Sequence, residues 1–288
     1  MIILSDLRGQ LCNRIFLTGY GMALAEGTGQ TLVDFSLNEY AGCFPATRRK
    51  KWLELPYKLL RGIVRAFVKI VWRIPMAREL IIDVTYSNSG ETSTANPAFM
   101  ARIKRRPITF IRMDSYFDLS KIVFPPTETI RRHFTPDPEV LSTVREHARH
   151  AKGDADVLIG VHIRRGDYDV HLGGRHYFPA EFYREAMDRV AALFPNRRVA
   201  FLLCSNEKQS MELFAPLRVT PGPGTLLGDL YCLAECDYLL GPPSTYSLWA
   251  AYYARKPVCQ MFRREAPSSL DQFVVPDGHF ECYDLKTV

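Results

Sequence analysis

The sequence predicts an α/β fold built on parallel strands, and three observations carry that reading. The chain opens as strand, polar turn, helix and strand within residues 2–35. From residue 157 to residue 261 it alternates short apolar runs with amphipathic ones, the pattern of a parallel sheet with covered faces. One of these runs, Val157-Leu158-Ile159-Gly160-Val161-His162-Ile163, ends in Arg164-Arg165-Gly166-Asp167. Adjacent strand residues face opposite sides, so the two arginines cannot share one surface. At least one points into protein or into the crevice at the strand's carboxyl end, where open α/β sheets bind ligands.

In order, Ile2-Ile3-Leu4 reads as the first strand, and Leu7 to Arg14 as a polar turn around Gly9. A helix follows with Ile15, Gly19, Met22 and Ala23 at helical spacing, then a strand at Leu32-Val33-Asp34-Phe35. Residues 52–74 read as a helix with Leu60, Ile63, Val64, Phe67, Ile70 and Val71 on one arc. Lys58, Arg61, Arg65, Lys69 and Arg73 lie on the opposite arc, behind Arg48-Arg49-Lys50-Lys51. Such a helix either turns its apolar arc to a core or lies on an anionic membrane, so residues 48–73 are a candidate peripheral membrane contact. Residues 87–106 read as irregular, and Ile108-Thr109-Phe110-Ile111 as a strand. Phe124-Pro125-Pro126 and Thr135-Pro136-Asp137-Pro138 punctuate the chain before a short helix from Pro138.

Lys152-Gly153-Asp154-Ala155 then reads as a linker, dividing the chain into domains 1–150 and 151–288. That suits 288 residues, enough for two domains. In the second half, helices are expected from Ala180, over Glu207 to Phe214, over Asp229 to Ala234 and from Ser244. Strands are expected at Val199–Leu203, Tyr238–Leu240 and Val258–Met261.

Composition narrows the function classes. No apolar run is long enough to span a bilayer, and the N-terminus lacks the pattern of a secretory signal. Seven cysteines form no CxxC pair and no metal-ligand spacing, which points to a reduced, cytoplasmic protein. A net charge of +6 suits an anionic small molecule or a membrane surface and is too weak to argue for nucleic acid.

Four groups of residues carry chemistry. A guanidinium presents a planar fork of donors to phosphate oxygens and never loses its charge, which marks Arg164 and Arg165; the plain alternative is a surface loop pairing them with Asp167 and Asp169. Ser244-Thr245-Tyr246-Ser247 follows a strand, and a cap there leaves amides and hydroxyls facing outward as an anion site. Asp229 is a natural acceptor for the paired N–H donors of guanine's N1 and N2 edge, or else a charge complementing its own helix. Gly9 allows a close backbone approach to a ligand, with Asn13 beside it as a donor. Asp237 reads as structural.

His162-Ile163-Arg164-Arg165-Gly166-Asp167-Tyr168 resembles the signature of the α1,2-fucosyltransferase family. Gly9-Gln10-Leu11-Cys12-Asn13-Arg14-Ile15-Phe16 is similar to that family's opening motif. Ser244-Thr245-Tyr246-Ser247-Leu248-Trp249-Ala250-Ala251 resembles its third. The three occur in family order, with Arg8, Cys12, Arg14 and Leu248 as departures from it, and residues 40–130 match nothing.

The resemblance implies a glycosyltransferase-B fold of two Rossmann-like domains facing a cleft. Residues 1–150 would form the acceptor side and 151–288 the GDP-sugar side. The implied reaction moves L-fucose from GDP-β-L-fucose, with inversion and without a metal, to a glycan hydroxyl such as galactoside O2. The acceptor is an oligosaccharide, lipid-linked in one form. His162 and Asp229 would hold guanine. Arg164, Arg165, Ser244, Thr245 and Tyr246 would hold the pyrophosphate, with Gly9 and Asn13 on its phosphate side. Asp167, Asp169 and His171 are candidates for the base, with assistance by the phosphate as the alternative. The DxD strings, Asp154-Ala155-Asp156 and Asp167-Tyr168-Asp169, fall in the linker and inside the arginine signature, so no metal cofactor is expected. Transfer of another GDP-linked sugar, or silent GDP or glycan binding at a membrane, are the rival readings.

Overall fold

A computed structural model describes residues 1–5, 9–84, 91–113 and 127–276. The chain forms two compact units, one built on Met1–Thr135 and one on Pro136–Asp277.

The first unit contains β1 (Ile2–Leu4), α1 (Leu11–Thr28), β2 (Leu32–Asp34), α2 (Lys51–Arg73), β3 (Ile81–Val84), α3 (Pro97–Lys104), β4 (Thr109–Met113) and α4 (Thr127–His133). Its four strands are all parallel, in the order β2-β1-β4-β3, with Ile3 opposite both Val33 and Phe110. Helix α1 is apolar almost all round and correspondingly buried. Gly21 lets it close on the sheet, since a Cβ there would lie 2.8 Å from a Leu4 methyl. On its other side the sheet packs against α2, through Ile3, Phe35, Ile81 and Phe110 against Val68 and Val71, with Tyr57, Val64 and Trp72 beside them.

The second unit contains α5 (Pro138–Lys152), β5 (Val157–Ile163), α6 (Ala180–Ala192), β6 (Val199–Ser205), β7 (Val219–Pro221), α7 (Leu226–Ala234), β8 (Tyr238–Gly241), α8 (Thr245–Ala254) and β9 (Val258–Gln260). The sheet order is β7-β6-β5-β8-β9, and every pairing is parallel. Every residue of β5 is buried, as befits the middle strand of a sheet covered on both faces. Val157, Ile159, Val161 and Ile163 meet Phe178, Phe182, Tyr183 and Met187 in the main core. On the opposite face Gly160 admits α7, since a Cβ there would lie 2.8 Å from a Leu233 methyl. The chain runs outward from β5 through β6 to β7, then returns to lay β8 and β9 on the other side of β5. The order therefore reverses between β5 and β8, and the loops leaving these two strands diverge at that seam.

Several expectations change. Residues 97–104, expected to be irregular, form α3: the Asn96 side chain accepts from the amides of Ala98 and Phe99, and Pro97 supplies the first helical position. Strands β3 and β7 were not foreseen. Glu207 to Phe214 is no helix but a turn ending in a single 3-10 segment at Met211–Phe214. The division falls at Thr135–Pro136 rather than at residue 150, because α5 buries Val144, Ala148 and Ala151 in the second unit. There the Cys232 thiol donates to the carbonyl of Val144 at 3.7 Å. Phe124-Pro125-Pro126 and Arg8 lie outside the described residues.

Helix α2 divides its apolar residues between two faces. Val64, Val68 and Val71 meet the sheet, while Ile63 and Ile70 remain 66% and 60% exposed. Among the described residues no helix is long and apolar enough to cross a membrane.

Asp237 is structural. It accepts from Lys152 Nζ at 2.7 Å and from the Leu158 amide at 3.0 Å, tying the start of β5 to that of β8. Burial pushes its pKa up, but these donors outweigh burial and hold it below the ordinary value. A carboxyl with a depressed folded pKa stabilises the fold above its unfolded pKa and ceases to do so as pH falls through the folded value. Asp237→Ala should cost about 1.5–3 kcal/mol at neutral pH. Urea titrations should show the gap to wild type closing as pH drops below about 3.9, the usual aspartate value.

Candidate functional site

The site begins where β5 ends. His162, the next-to-last residue of β5, is 5% exposed and stacks on Tyr246, with ring centroids 5.1 Å apart. Its Nδ1 has no hydrogen-bond partner among the described residues. Burial first, and then the charge of Arg164, push its pKa from 6.5 down to about 3, so the imidazole is neutral at any ordinary pH. One strand over, Gly241 brings β8 against it: a Cβ at 241 would stand 2.9 Å from the His162 carbonyl oxygen.

The arginines leave the strand in different directions, as strand alternation requires. Arg164 reaches Asp167 at 2.5 Å and lies 5.3 Å from the ring centre of Tyr168. Arg165 lies 4.8 Å from the ring centre of Tyr177. The loop itself is held by its neighbours after β6. The Arg165 amide donates to Asn206 Oδ1 at 2.8 Å and the Gly166 amide to Glu207 Oε1 at 3.1 Å. Gly166 takes a φ of 65°, the left-handed region in which a side chain would be strained. The Tyr168 hydroxyl donates to the Pro243 carbonyl at 2.8 Å, joining the loop after β5 to the loop after β8.

Ser244 is the N-cap of α8, accepting from the Tyr246 amide at 3.2 Å. Thr245 is the first helical residue. Tyr246 donates its hydroxyl to the Leu226 carbonyl at 2.7 Å, which ties α8 to the start of α7 while its ring covers His162. Asp229 lies in the first turn of α7, as expected; Thr225 is the cap, accepting from the Gly228 amide. The Asp229 carboxylate accepts the Gly224 amide at 2.8 Å through Oδ1, and burial raises its pKa despite that bond. A Cβ on Gly222 would lie 2.7 Å from the same oxygen.

The second unit thus gathers Arg164, Arg165, Asp167 and Asp169 after β5, Ser244, Thr245 and Tyr246 after β8, and Asp229 after β7. His162 lies at the seam between β5 and β8. Gly9 and Asn13 belong to the first unit, after β1. Gly9 has a φ of 74°, and a Cβ there would overlap the Asn13 side chain that folds over it. Beside them, the side chain of Arg14, which is buried, donates to the carbonyls of Gly9 and Ser36 and pairs with Glu39 at 2.9 Å.

Sequence reasoning passed over Tyr168, Asn206, Glu207 and the Gly222–Gly224 turn. Asn206-Glu207 had a usable signal, because polar residues that follow a strand of a parallel sheet sit at its ligand-binding edge. Asp154 and Asp156 are engaged by arginines. Asp154 pairs with Arg198 at 2.5 Å and with Arg218, and Asp156 accepts the Arg198 amide at 2.8 Å. Among the described residues no three His, Cys, Asp or Glu side chains cluster as a metal site would require.

The family model of glycosyl transferase family 11 matches residues 123–269, a little over half of the chain. The chain belongs to that family. No curated protein matches it. A mutant of Arabidopsis thaliana FUT1 in complex with GDP is 17% identical over 92% of this chain and 72% of that one, with a TM-score of 0.61. The Bradyrhizobium fucosyltransferase NodZ is 18% identical over 90% of this chain and 94% of its own, with a TM-score of 0.55. A NodZ α-1,6-fucosyltransferase crystal soaked with GDP-fucose gives 16% identity, the same coverages and a TM-score of 0.54. At such identities the likeness carries the fold, which is of the glycosyltransferase-B type. This family 11 chain is a glycosyltransferase, and its matched region holds the whole cluster from His162 to Tyr246.

Because His162 stays neutral while the unfolded chain protonates its histidines near 6.5, acidification favours unfolding. Stability should therefore fall as pH drops from 6.5 toward about 3. Denaturation at a series of pH values should show that slope, and His162→Gln should flatten it.

Proposed function

We propose that the chain transfers L-fucose from GDP-β-L-fucose to a glycan hydroxyl, with inversion and without a metal ion. The observation that carries this is that the segments following β5, β7 and β8, at the carboxyl end of one parallel sheet, carry two guanidinium groups and a buried carboxylate, with a neutral buried imidazole at the end of β5. His162 and Asp229 are suited to the two edges of guanine. An imidazole that cannot charge offers an unpaired Nδ1, and among the described residues the second oxygen of Asp229 has no partner. Arg164 and Arg165 bracket the diphosphate, with the Ser244 and Thr245 hydroxyls at the start of α8. Tyr246 acts less as a phosphate donor than as the wall that stacks on His162, since its hydroxyl is bound to Leu226.

In the reaction the acceptor oxygen attacks the anomeric carbon opposite the leaving phosphate. The sugar–phosphate bond breaks with its electron pair going to GDP, and the acceptor proton passes to a base. Negative charge grows on GDP, and fixed cationic donors aimed at it lower the barrier, which gives the arginines the role a divalent ion would otherwise fill. Of the candidate bases, Asp167 is bound to Arg164 and keeps that guanidinium in place. Asp169, exposed in the same turn, takes the proton. The acceptor is read as an oligosaccharide, galactoside O2 as its hydroxyl, lipid-linked in its natural form and presented at the cytoplasmic side of a membrane.

Calorimetry with GDP and turnover of GDP-fucose test this reading. Arg164→Ala and Arg165→Ala should each weaken GDP binding by about 1.5–3 kcal/mol, the worth of a charge-assisted bond, while thermal melts stay two-state. Unchanged GDP affinity in both would overturn the assignment, and release of GDP from another GDP-sugar alone would reassign the donor. Asp169→Asn should lower kcat about 10²–10⁴-fold with GDP affinity intact. A larger loss for Asp167→Asn than for Asp169→Asn would move the base to Asp167.

A further inference from the structure

The 23 residues of α2 present three faces, not two. Tyr57, Val64, Val68 and Val71 meet the sheet. Trp52, Leu55, Leu59, Ile63 and Ile70 form a second stripe along the outer side, with Phe67 at its edge against the Phe110 ring, and all six are exposed, Trp52 by 70%. Lys58, Arg65, Lys69 and Arg73 form a third, exposed row on the other flank of that stripe. Leaving so many large apolar side chains in water costs solvation free energy along the whole helix, and a contiguous exposed patch of this kind marks an interaction surface.

Charge and area decide what covers it. At 1.5 Å per residue the helix is about 34 Å long, and a stripe about 10 Å wide offers roughly 350 Å², less than half of the ~800 Å² per partner of a stable protein interface. A second copy laid on the stripe would also bring two basic rows together. A bilayer has neither difficulty: the stripe enters the acyl boundary and the cations stay among anionic headgroups.

We infer that α2 docks the protein on an anionic lipid bilayer, lying in the interface plane with the Trp52–Ile70 stripe submerged and the Lys58–Arg73 row at headgroup level. The proposal does not depend on the donor assignment.

The test is co-sedimentation of the full chain with vesicles of phosphatidylcholine and phosphatidylglycerol, compared with phosphatidylcholine alone. Wild type should pellet with the anionic vesicles, weaken as salt rises, and show a blue shift of tryptophan emission that Trp52→Phe removes. The double variant Ile63→Glu, Ile70→Glu alters two exposed positions and should fold, release GDP from GDP-fucose with a soluble acceptor at the wild-type rate, and bind vesicles at least about tenfold more weakly. Lys58→Glu with Lys69→Glu should lose the anionic preference. Wild type that stays in the supernatant overturns the proposal in favour of a protein cover such as a second copy, visible as a dimer by sedimentation. Equal pelleting by wild type and both double variants overturns it as well. Loss of GDP binding in the arginine variants would leave these results untouched, so the two readings fail separately.

Discussion

No side chain fits on residue 241, because the carbonyl of His162 on the neighbouring strand stands where a Cβ would need its clearance. That contact draws β5 and β8 together at the point where the strand order reverses, and everything nearby follows from it. The loops leaving the two strands start close together and then part, so a hydroxyl on one can reach a carbonyl on the other, as Tyr168 reaches Pro243. With the seam closed, His162 loses its water and its charge, and the ring of Tyr246 finds a flat partner to stack on. A residue with a Cβ at 241 would separate these elements before it disturbed any of the side chains proposed to meet a ligand.

Electrostatics in the second unit separates scaffold charges from available ones. Asp237, Asp154 and Asp156 each hold a cation or a backbone amide at the amino end of the sheet, where they fix strand starts. At the carboxyl end the balance tips the other way. Two arginines stand on a loop whose own amides are held by Asn206 and Glu207, and only Arg164 is paired through Asp167. The loop is therefore braced by its backbone, not by its guanidinium groups. That division orients both cations, Arg164 against the Asp167 carboxylate and Arg165 over the Tyr177 ring, so that fixed charge is in place before charge develops during a reaction.

What the sequence made legible follows from burial. Strand β5 could be bounded at Val157 and Ile163 because a strand covered on both faces is a continuous apolar run. Ser244 could be read as a cap because a hydroxyl between a strand and a helix has few other uses. Strand β7 could not: it is a three-residue edge strand ending in Pro221, and an edge tolerates a residue that a central strand would reject. Tyr168 was equally invisible, since its partner lies 75 residues away and no local pattern encodes it. The arginine signature and Asp229 could be singled out by their chemistry, but their common place at the carboxyl end of one sheet needed the strand order, which alternation alone does not specify. The linker at residues 152–155 was misplaced for a related reason. A polar Gly-containing turn at the end of α5 looks the same whether the helix before it packs backward or forward.

Helix α2 shows how one periodicity can serve two demands. A helix with a single apolar arc and a polar back satisfies a sheet and water, and the sequence of residues 52–74 fits that description on a two-face reading. Yet Val68 and Val71 are buried on the sheet, with Tyr57, Val64 and Trp72 packed beside them, while Trp52, Leu59, Ile63 and Ile70 face outward. Strands of three to five residues expose little surface for a 23-residue helix to cover, so size matching to the sheet cannot account for the outer stripe. Solubility alone would have replaced it with polar residues at no cost to the core. Its place beside a row of lysines and arginines suits a lipid-linked acceptor, because a protein held at the bilayer surface would meet such an acceptor by diffusion in two dimensions.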